Sequence, residues 1–367
     1  MRRTHSTTRL LGATLLAGGL ALTGCVATTE PEPEPATSES PASDLDGTAG
    51  DEELLRLIGP SFIDEHDRVA VAVIEDDEVR TAFMGADAST TFEIGSITKV
   101  FTGELLAEAT RRGEVQADDP VGQYLDLGDA PVASATLRDL AAHRSGLATF
   151  PADPEFVERV TADYEAGRDP FDESLDEVLA AARGMELATP GTFSYSNMGA
   201  ALVGQALAAA AGTDYRSLLT ERLLEPLDLD HTTVPVEDDE VPDSAVGGFD
   251  ADGDPVEASA LGAYAPAGGI HATVGDLVSF AQAVLGGPLT DSAAQTDTIE
   301  VGDGSTIGYF WNVREQGGSR IVSHNGMTLG FASVLLIDTT NGTAAIVLAN
   351  QSEPVDDVGA TLLAQLG

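Results

Sequence analysis

The chain has 367 residues, enough for one large domain or two intimate ones around a substantial core. Hydrophobic residues make up 43% of it and aromatic residues 5%, as in an ordinary globular enzyme. Against 18 basic residues stand 61 acidic ones, and the formal charge of −43 argues against nucleic acid and against electrostatic docking on anionic lipid. The lysine count sharpens this picture. Lys99 is the only lysine, and every other basic residue is an arginine. A lysine sheds its proton when desolvated and an arginine does not, so Lys99 is a candidate for chemistry before any motif is considered.

At the N-terminus, Arg2, Arg3 and Arg9 precede an apolar run from Leu10 to Leu22, 13 residues and too short for a comfortable membrane span. Leu22-Thr23-Gly24-Cys25 follows and resembles a bacterial lipobox. The expectation is a signal peptide over 1–24, with Cys25 lipidated and the protein held on the outer face of the cytoplasmic membrane. The bland alternative is an ordinary signal peptide with a chance cysteine. Cys25 is the sole cysteine, so no intramolecular disulfide is possible. Residues 25–50 are rich in Pro, Glu, Ser and Thr, including Glu30-Pro31-Glu32-Pro33-Glu34-Pro35, and read as an extended tether. Such a tether suits a monomer.

The folded part is expected over 51–367. Glu52 to Ile63 reads as a helix, and Val69 to Ile74 and Val79 to Met84 as strands paired across Glu75-Asp76-Asp77-Glu78. Helical patterns then dominate: Thr98–Arg112 closed by Gly113, Leu137–His143, Leu175–Ala182, Asn197–Ala211 closed by Gly212, Tyr215–Leu223 and Val274–Leu285 closed by Gly286. Strands return at Tyr309–Arg314, Arg320–His324, Phe331–Ile337 and Ala344–Leu348, with Asn341-Gly342 as a hairpin turn, and Val355–Leu366 closes the chain as a helix. Strands at both ends imply one antiparallel sheet of an α/β (α+β) protein, flanked by the N- and C-terminal helices. The sheet lobe would span about 51–95 and 297–367, and an all-helical lobe about 96–296, with the site at their seam.

Three short segments carry chemistry. Ser96 and Lys99 sit three apart at the start of a predicted helix, so the hydroxyl and the amine share a face. The helix N-terminus adds free N–H groups for a developing oxyanion. Tyr195-Ser196-Asn197 precedes the apolar helix beginning at Met198. A phenol there can relay a proton if a neighbouring cation lowers its pKa, and the Asn197 amide can fix Lys99 and a substrate carbonyl together. His324-Asn325-Gly326 ends a strand, where Gly326 would let substrate lie along the edge and the Met327 N–H would pair with that of Ser96 as an oxyanion hole. Each segment alone is weak: Ser96 could be a helix cap, Lys99 a surface charge, Tyr195 a core cap, Asn197 an N-cap, and His324 a turn histidine.

Together, in this order, they resemble the S-x-x-K, Y-x-N and K/H-x-G motifs of the serine β-lactamase and penicillin-binding superfamily, in particular its class C β-lactamase-like branch with the D-Ala-D-Ala carboxypeptidases and esterase relatives. Leu137 to Leu147, Pro190-Gly191, Ala267-Gly268-Gly269-Ile270 and Gly330-Phe331 agree, so the resemblance covers about Glu52 to Leu366. It implies a β-lactamase/transpeptidase-like fold and an acyl-enzyme on Ser96, with Lys99 and Tyr195 moving protons. Which of the two is the general base stays open. Asn197, His324, Asn325 and Gly326 would bind a small-molecule or peptide substrate. His324 stands where a class C β-lactamase has lysine, leaving a weaker, pH-dependent cation for a substrate carboxylate. That favours a D-alanyl-D-alanine carboxypeptidase-like peptidase or amidase at the cell envelope, with an esterase or class C-type β-lactamase as alternatives. A non-enzymatic alternative is a lipid-anchored penicillin- or muropeptide-binding protein.

Other signals carry less. Asp250-Ala251-Asp252-Gly253-Asp254 lacks the glycine and glutamate of a calcium loop, since Pro255 and Leu261 occupy those places, and reads as an acidic hairpin turn. His143 in His143-Arg144-Ser145-Gly146-Leu147 reads as a loop anchor. No G-x-S-x-G, H-E-x-x-H, metal or cofactor motif occurs, and the implied chemistry requires no cofactor. Loops around Thr149–Asp172 and Pro235–Ala260 are expected to shape the pocket.

Overall fold

A computed structural model describes residues 47–64, 66–76, 78–302 and 304–366. The expected signal peptide, Cys25 and most of the expected tether lie outside the described residues. The strands are β1 (Thr48–Gly50), β2 (Val69–Glu75), β3 (Glu78–Met84), β4 (Phe92–Glu93), β5 (Gly248–Phe249), β6 (Pro255–Val256), β7 (His271–Ala272), β8 (Ile299–Gly302), β9 (Ser305–Ile307), β10 (Asn312–Gln316), β11 (Ser319–Met327), β12 (Ala332–Asp338) and β13 (Thr343–Ala349). The helices are α1 (Glu52–Ile58), α2 (Thr98–Arg112), α3 (Leu137–Ala141), α4 (Pro154–Glu165), α5 (Leu175–Arg183), α6 (Asn197–Ala211), α7 (Tyr215–Leu219), α8 (Ala265–Gly268), α9 (Val274–Gly286), α10 (Ala293–Thr296) and α11 (Asp356–Ala364).

Nine strands form one antiparallel sheet in the order β1-β3-β2-β13-β12-β11-β10-β9-β8. Strands from the two ends of the chain meet where Val69 to Ile74 pair with Ala349 to Ala344. β2 and β13 are buried on both faces, which is why Val-Ala-Val-Ala-Val-Ile and Ala-Ala-Ile-Val-Leu-Ala are continuous apolar runs. On one face, Val69, Val71, Val73, Val334 and Val347 pack with Leu54 and Ile58 of α1 and Leu362 of α11. On the other, Ala70, Ile74, Ile346, Leu348, Leu335 and Val322 join the core of the helical region, reaching Phe101, Leu105 and Phe280. Helix α9, expected within the helical lobe, therefore lies against β2 and β13.

Several boundaries differ from the sequence reading for local reasons. The sheet begins at Thr48, where β1 pairs with β3 inside the span expected to be tether. Helix α1 stops at Ile58 because Gly59-Pro60 tightens the chain into a 3-10 turn. Tyr309-Phe310-Trp311 is not strand. Phe310 has φ +64°, and the Tyr309 and Phe310 N–H groups donate to the Ala294 and Ala141 carbonyls, so these fully buried rings plug the helical side. Helix α4 falls in a stretch expected to be loop and is capped by Asp153 with Pro154 in its first turn. The acidic turn is a hairpin: β5 pairs with β6, and the Asp252 and Asp254 N–H groups donate to the Asp250 carboxylate.

Helix α2 is the structural link between sheet and helices. The Trp311 and Gln295 side-chain N–H groups donate to the buried Glu104 carboxyl at 2.9 Å, whose pKa burial raises. Gly103 is required by close approach, since a Cβ there would lie 2.1 Å from the Tyr309 carbonyl oxygen. Gly103→Ala should therefore destabilise the fold by about 1–3 kcal/mol through overpacking, read from the denaturation midpoint at unchanged m-value.

Candidate active site

Ser96 does not open α2 itself. It sits in a 3-10 turn, Gly95–Ile97, that leads into the helix. The turn is wedged between two elements. The Ile94 N–H donates to the Ile270 carbonyl, and the Ser333 hydroxyl donates to the Ile94 carbonyl at 2.8 Å. Gly95 has φ +50°, and a Cβ on it would come within 2.9 Å of the Met327 nitrogen. Gly326 is equally constrained: a Cβ there would lie 2.1 Å from the Ile94 carbonyl oxygen. The two glycines let the serine turn and the end of β11 touch backbone to backbone.

Lys99 Nζ lies 2.9 Å from Ser96 Oγ and donates to the Ala267 carbonyl. It has no exposed surface, and burial holds its pKa well below 10.5. Thr102, one turn on, donates to the Pro266 carbonyl and accepts from the Tyr215 hydroxyl. Two polar side chains three apart on α2 thus grip two successive carbonyls of α8. The Tyr195 hydroxyl donates to Ser96 Oγ at 2.6 Å, and Lys99 Nζ is 5.0 Å from the centre of its ring. Burial pushes the phenol above its usual 10.0, offset only in part by the bond to Ser96. The expectation that a neighbouring cation lowers the Tyr195 pKa is therefore corrected: burial of the phenol outweighs what lowers it.

The third segment departs further. β11 pairs with β10 only as far as Asn312 with Ser323, so from His324 to Met327 that edge has no strand partner among the described residues. Thr328 N–H bonds to the Phe331 carbonyl, and antiparallel alternation then leaves the Met327 N–H on the open edge beside Gly95. His324 is 4% exposed, and its Nδ1 bonds to the Asn325 carbonyl at 2.6 Å, which places the ring proton on Nδ1. Burial first, and Lys99 second, push its pKa down to about 3. It is neutral, not the pH-dependent cation expected from sequence. Asn325, expected to bind substrate, faces the opposite side of the sheet, where Val334 is its cross-strand partner and Asp356 of α11 its hydrogen-bond partner. Asn197 is the first residue of α6, capped by Ser196. Among the described residues Lys99 bonds to the Ala267 carbonyl and not to the Asn197 amide.

Nothing in the sequence points to the Ala267 carbonyl, because a backbone acceptor leaves no residue-type signal. His143, expected from sequence to anchor a loop, lies directly behind Tyr195, ring centroids 4.5 Å apart. Its pKa too is held well below 6.5, by burial and then by Lys99 and His324. The neutral histidines have a consequence for stability. Between pH 6.5 and about 3, His324 binds a proton in the unfolded chain but not in the folded one, so stability falls as pH falls through that window. His324→Asn should remove about 1.4 kcal/mol of acid sensitivity per pH unit, seen by comparing denaturation of variant and parent at pH 6.5 and 5.

Comparison with known proteins places this geometry. The family model described as Beta-lactamase matches residues 61–367. A β-lactamase of Pseudomonas fluorescens is 26% identical over 307 residues, covering 72% of this chain and 81% of the relative. The D-alanyl-D-alanine-carboxypeptidase/endopeptidase AmpH of Escherichia coli strain K12 is 24% identical over 282 residues, 71% of this chain and 70% of its own. The solved class C β-lactamase from Rhodobacter sphaeroides shares the fold, with a TM-score of 0.70 at 22% identity over 84% of this chain and 97% of that one. The chain belongs to the β-lactamase family of serine hydrolases.

Proposed function

We propose that Ser96 forms the acyl-enzyme, with neutral Lys99 as general base and Tyr195 as the donor to the leaving group, in a D-alanyl-D-alanine carboxypeptidase-like peptidase or amidase of the cell envelope. The observation that carries this is the contact of one serine oxygen with both a fully buried lysine nitrogen and a phenol. The opposed pKa shifts assign the roles: the amine is driven to its free-base form and the phenol kept protonated. Ser96 Oγ–H gives its proton to Lys99 as the oxygen adds to the substrate carbonyl. The Ser96 and Met327 N–H groups face the resulting oxyanion. As the scissile bond breaks, Tyr195 protonates the departing amine or alkoxide and is resupplied by the Lys99 ammonium. Water then releases the acyl group by the reverse route.

A second reading rests on His324. A neutral imidazole bonded through Nδ1 gives no charge to a substrate carboxylate, and this favours esters whose leaving group carries none. Intact mass spectrometry with benzylpenicillin, a D-Ala-D-Ala peptide and a short-chain 4-nitrophenyl ester separates the readings. A persistent adduct on Ser96 with peptide turnover supports the carboxypeptidase. Ester turnover alone supports the esterase, and rapid penicillin loss without adduct supports a β-lactamase. Ser96→Ala should abolish adduct and turnover together. Binding that survives this change, with no substrate turned over by the parent, would instead support a binding protein.

The pH profile is a separate test. Protonation of Lys99 stops acylation, so kcat/KM should rise with pH along a limb lying well below 10.5 and fall only above 10.0, as Tyr195 ionises. A rising limb at or above 10.5 would remove Lys99 as the base.

The lipobox-like Leu22-Thr23-Gly24-Cys25 supports a lipid anchor at Cys25 on the outer face of the cytoplasmic membrane. Cys25→Ser should move the expressed full chain from the membrane to the soluble fraction. Unchanged membrane association would count against the anchor.

A further inference from the structure

We infer that His143 is a positioning residue that sets the direction of the Tyr195 hydroxyl toward Ser96. It rests on the proton-donating role proposed for Tyr195. His143 ends the turn after α3 with φ +54°, a left-handed conformation uncommon for a residue other than glycine. Its backbone carbonyl accepts the Ser194 N–H at 2.7 Å, and its Nδ1 accepts the Ser196 N–H at 3.1 Å. One residue therefore holds both chain neighbours of Tyr195. The ring fills the space behind the phenol, tilted 37° to it, with Phe193 and Phe310 edge-on around it.

A side chain needed only to fill this space would be apolar. His143 is 1% exposed, and with Nδ1 used as an acceptor the proton sits on Nε2, which is buried without a hydrogen-bond partner. An unsatisfied buried donor costs about 1–3 kcal/mol, and a left-handed non-glycine residue adds strain. Both costs fall on a residue that brackets the phenol, and strain of this kind gathers where geometry serves chemistry. The lever is long: a tilt of about 10° at the Tyr195 backbone moves a phenol oxygen ~6.5 Å away by about 1 Å, and a misplacement of that size costs about 10²-fold in rate.

The test uses leaving-group dependence, which a merely structural role would not move. Tyr195 is needed to protonate a poor leaving group such as an alkoxide, and little needed for 4-nitrophenolate. His143→Phe keeps a ring but loses the acceptor; His143→Asn keeps an acceptor and tolerates positive φ. Expected for His143→Phe is a loss of about 30-fold or more in kcat/KM, which reports acylation alone, on an alkyl ester, and a loss under about 3-fold in kcat/KM on the 4-nitrophenyl ester of the same acid. His143→Asn should recover the alkyl ester to within about 5-fold of the parent. Equal losses on both esters, no loss at all, or an Asn variant no better than Phe would overturn the proposal. If the strain at φ +54° leaves the Phe variant unfolded, His143→Gly decides, since it adopts that φ freely and removes the ring acceptor: a loss confined to the alkyl ester supports positioning, and equal losses on both esters or no loss overturn it. Tyr195→Phe separates the two levels. If it shows the leaving-group dependence and His143→Phe does not, positioning alone fails; if it shows none, the donor role of Tyr195 fails and positioning falls with it.

Discussion

A primary amine with no exposed surface and no carboxylate among its partners cannot stay an ammonium ion at low cost, because desolvating an unpaired charge far exceeds the free energy that folding has to spare. Around Lys99 the fold meets this by holding the amine's pKa well below its usual 10.5 and giving it a carbonyl and a hydroxyl to bond. Most of the site follows from that choice. α8 is held where its Ala267 and Pro266 carbonyls meet Lys99 and Thr102, and Tyr215 closes the same network from α7. A Cβ on Gly204 of α6 would lie 2.3 Å from Pro266, so α6 is pressed against α8 from behind. The nitrogen proposed as the base is also one that fixes how α2, α6 and α8 pack.

The same economy governs how the serine meets the sheet. A backbone-to-backbone approach needs positions without side chains, and Gly95 and Gly326 supply them from opposite partners. Either as alanine would push the Ser96 turn away from the end of β11. Because the pairing of β11 with β10 stops at Ser323, the last four residues of β11 are held, among the described residues, by β12 on one side only, leaving an edge whose N–H groups are open. A sheet edge is ordinarily a liability for aggregation. Here the catalytic turn stands beside it.

What the sequence displayed was whatever depends on spacing. Ser96 and Lys99 at i and i+3, the paired strands at both chain ends, and the motif order all survive translation into three dimensions, because helix and strand periodicities are local. What it concealed depends on direction and dielectric. Asn325 lies between His324 and Gly326 in every motif reading, yet strand alternation sends it to the opposite face, to Asp356. Asn197 has a suitable amide one residue past the helix cap, but the lysine takes a backbone carbonyl from 168 residues further along the chain than itself. His324 as a letter is a titrating group near neutrality, and only its burial shows that it does not titrate there. The plug made by Tyr309, Phe310 and Trp311 has the composition of a strand. It is excluded from one by the positive φ of Phe310, which no periodicity encodes.

The charge of the whole chain and the charge of the site point in opposite directions, and magnitude decides between them. A formal charge of −43 creates a field that favours protonation of Lys99, His143 and His324. Most of that charge is on exposed carboxylates, and beyond about 8–10 Å salt screens them. Desolvation acts on the group itself and is not screened, so it leads the causes for all three. Each group that stays neutral also spares its neighbours a like charge. His143 and His324 both feel Lys99, and a proton on any one of them would raise the cost of a proton on the others. The neutrality of the site is therefore cooperative. In the proposed acylation step Lys99 would take the proton of Ser96 and become a cation among groups that cannot share the charge, and the developing oxyanion would be the charge that offsets it. On that proposal the amine and the oxyanion would charge together and discharge together, which would tie the base to the chemical step and away from idle protonation by solvent.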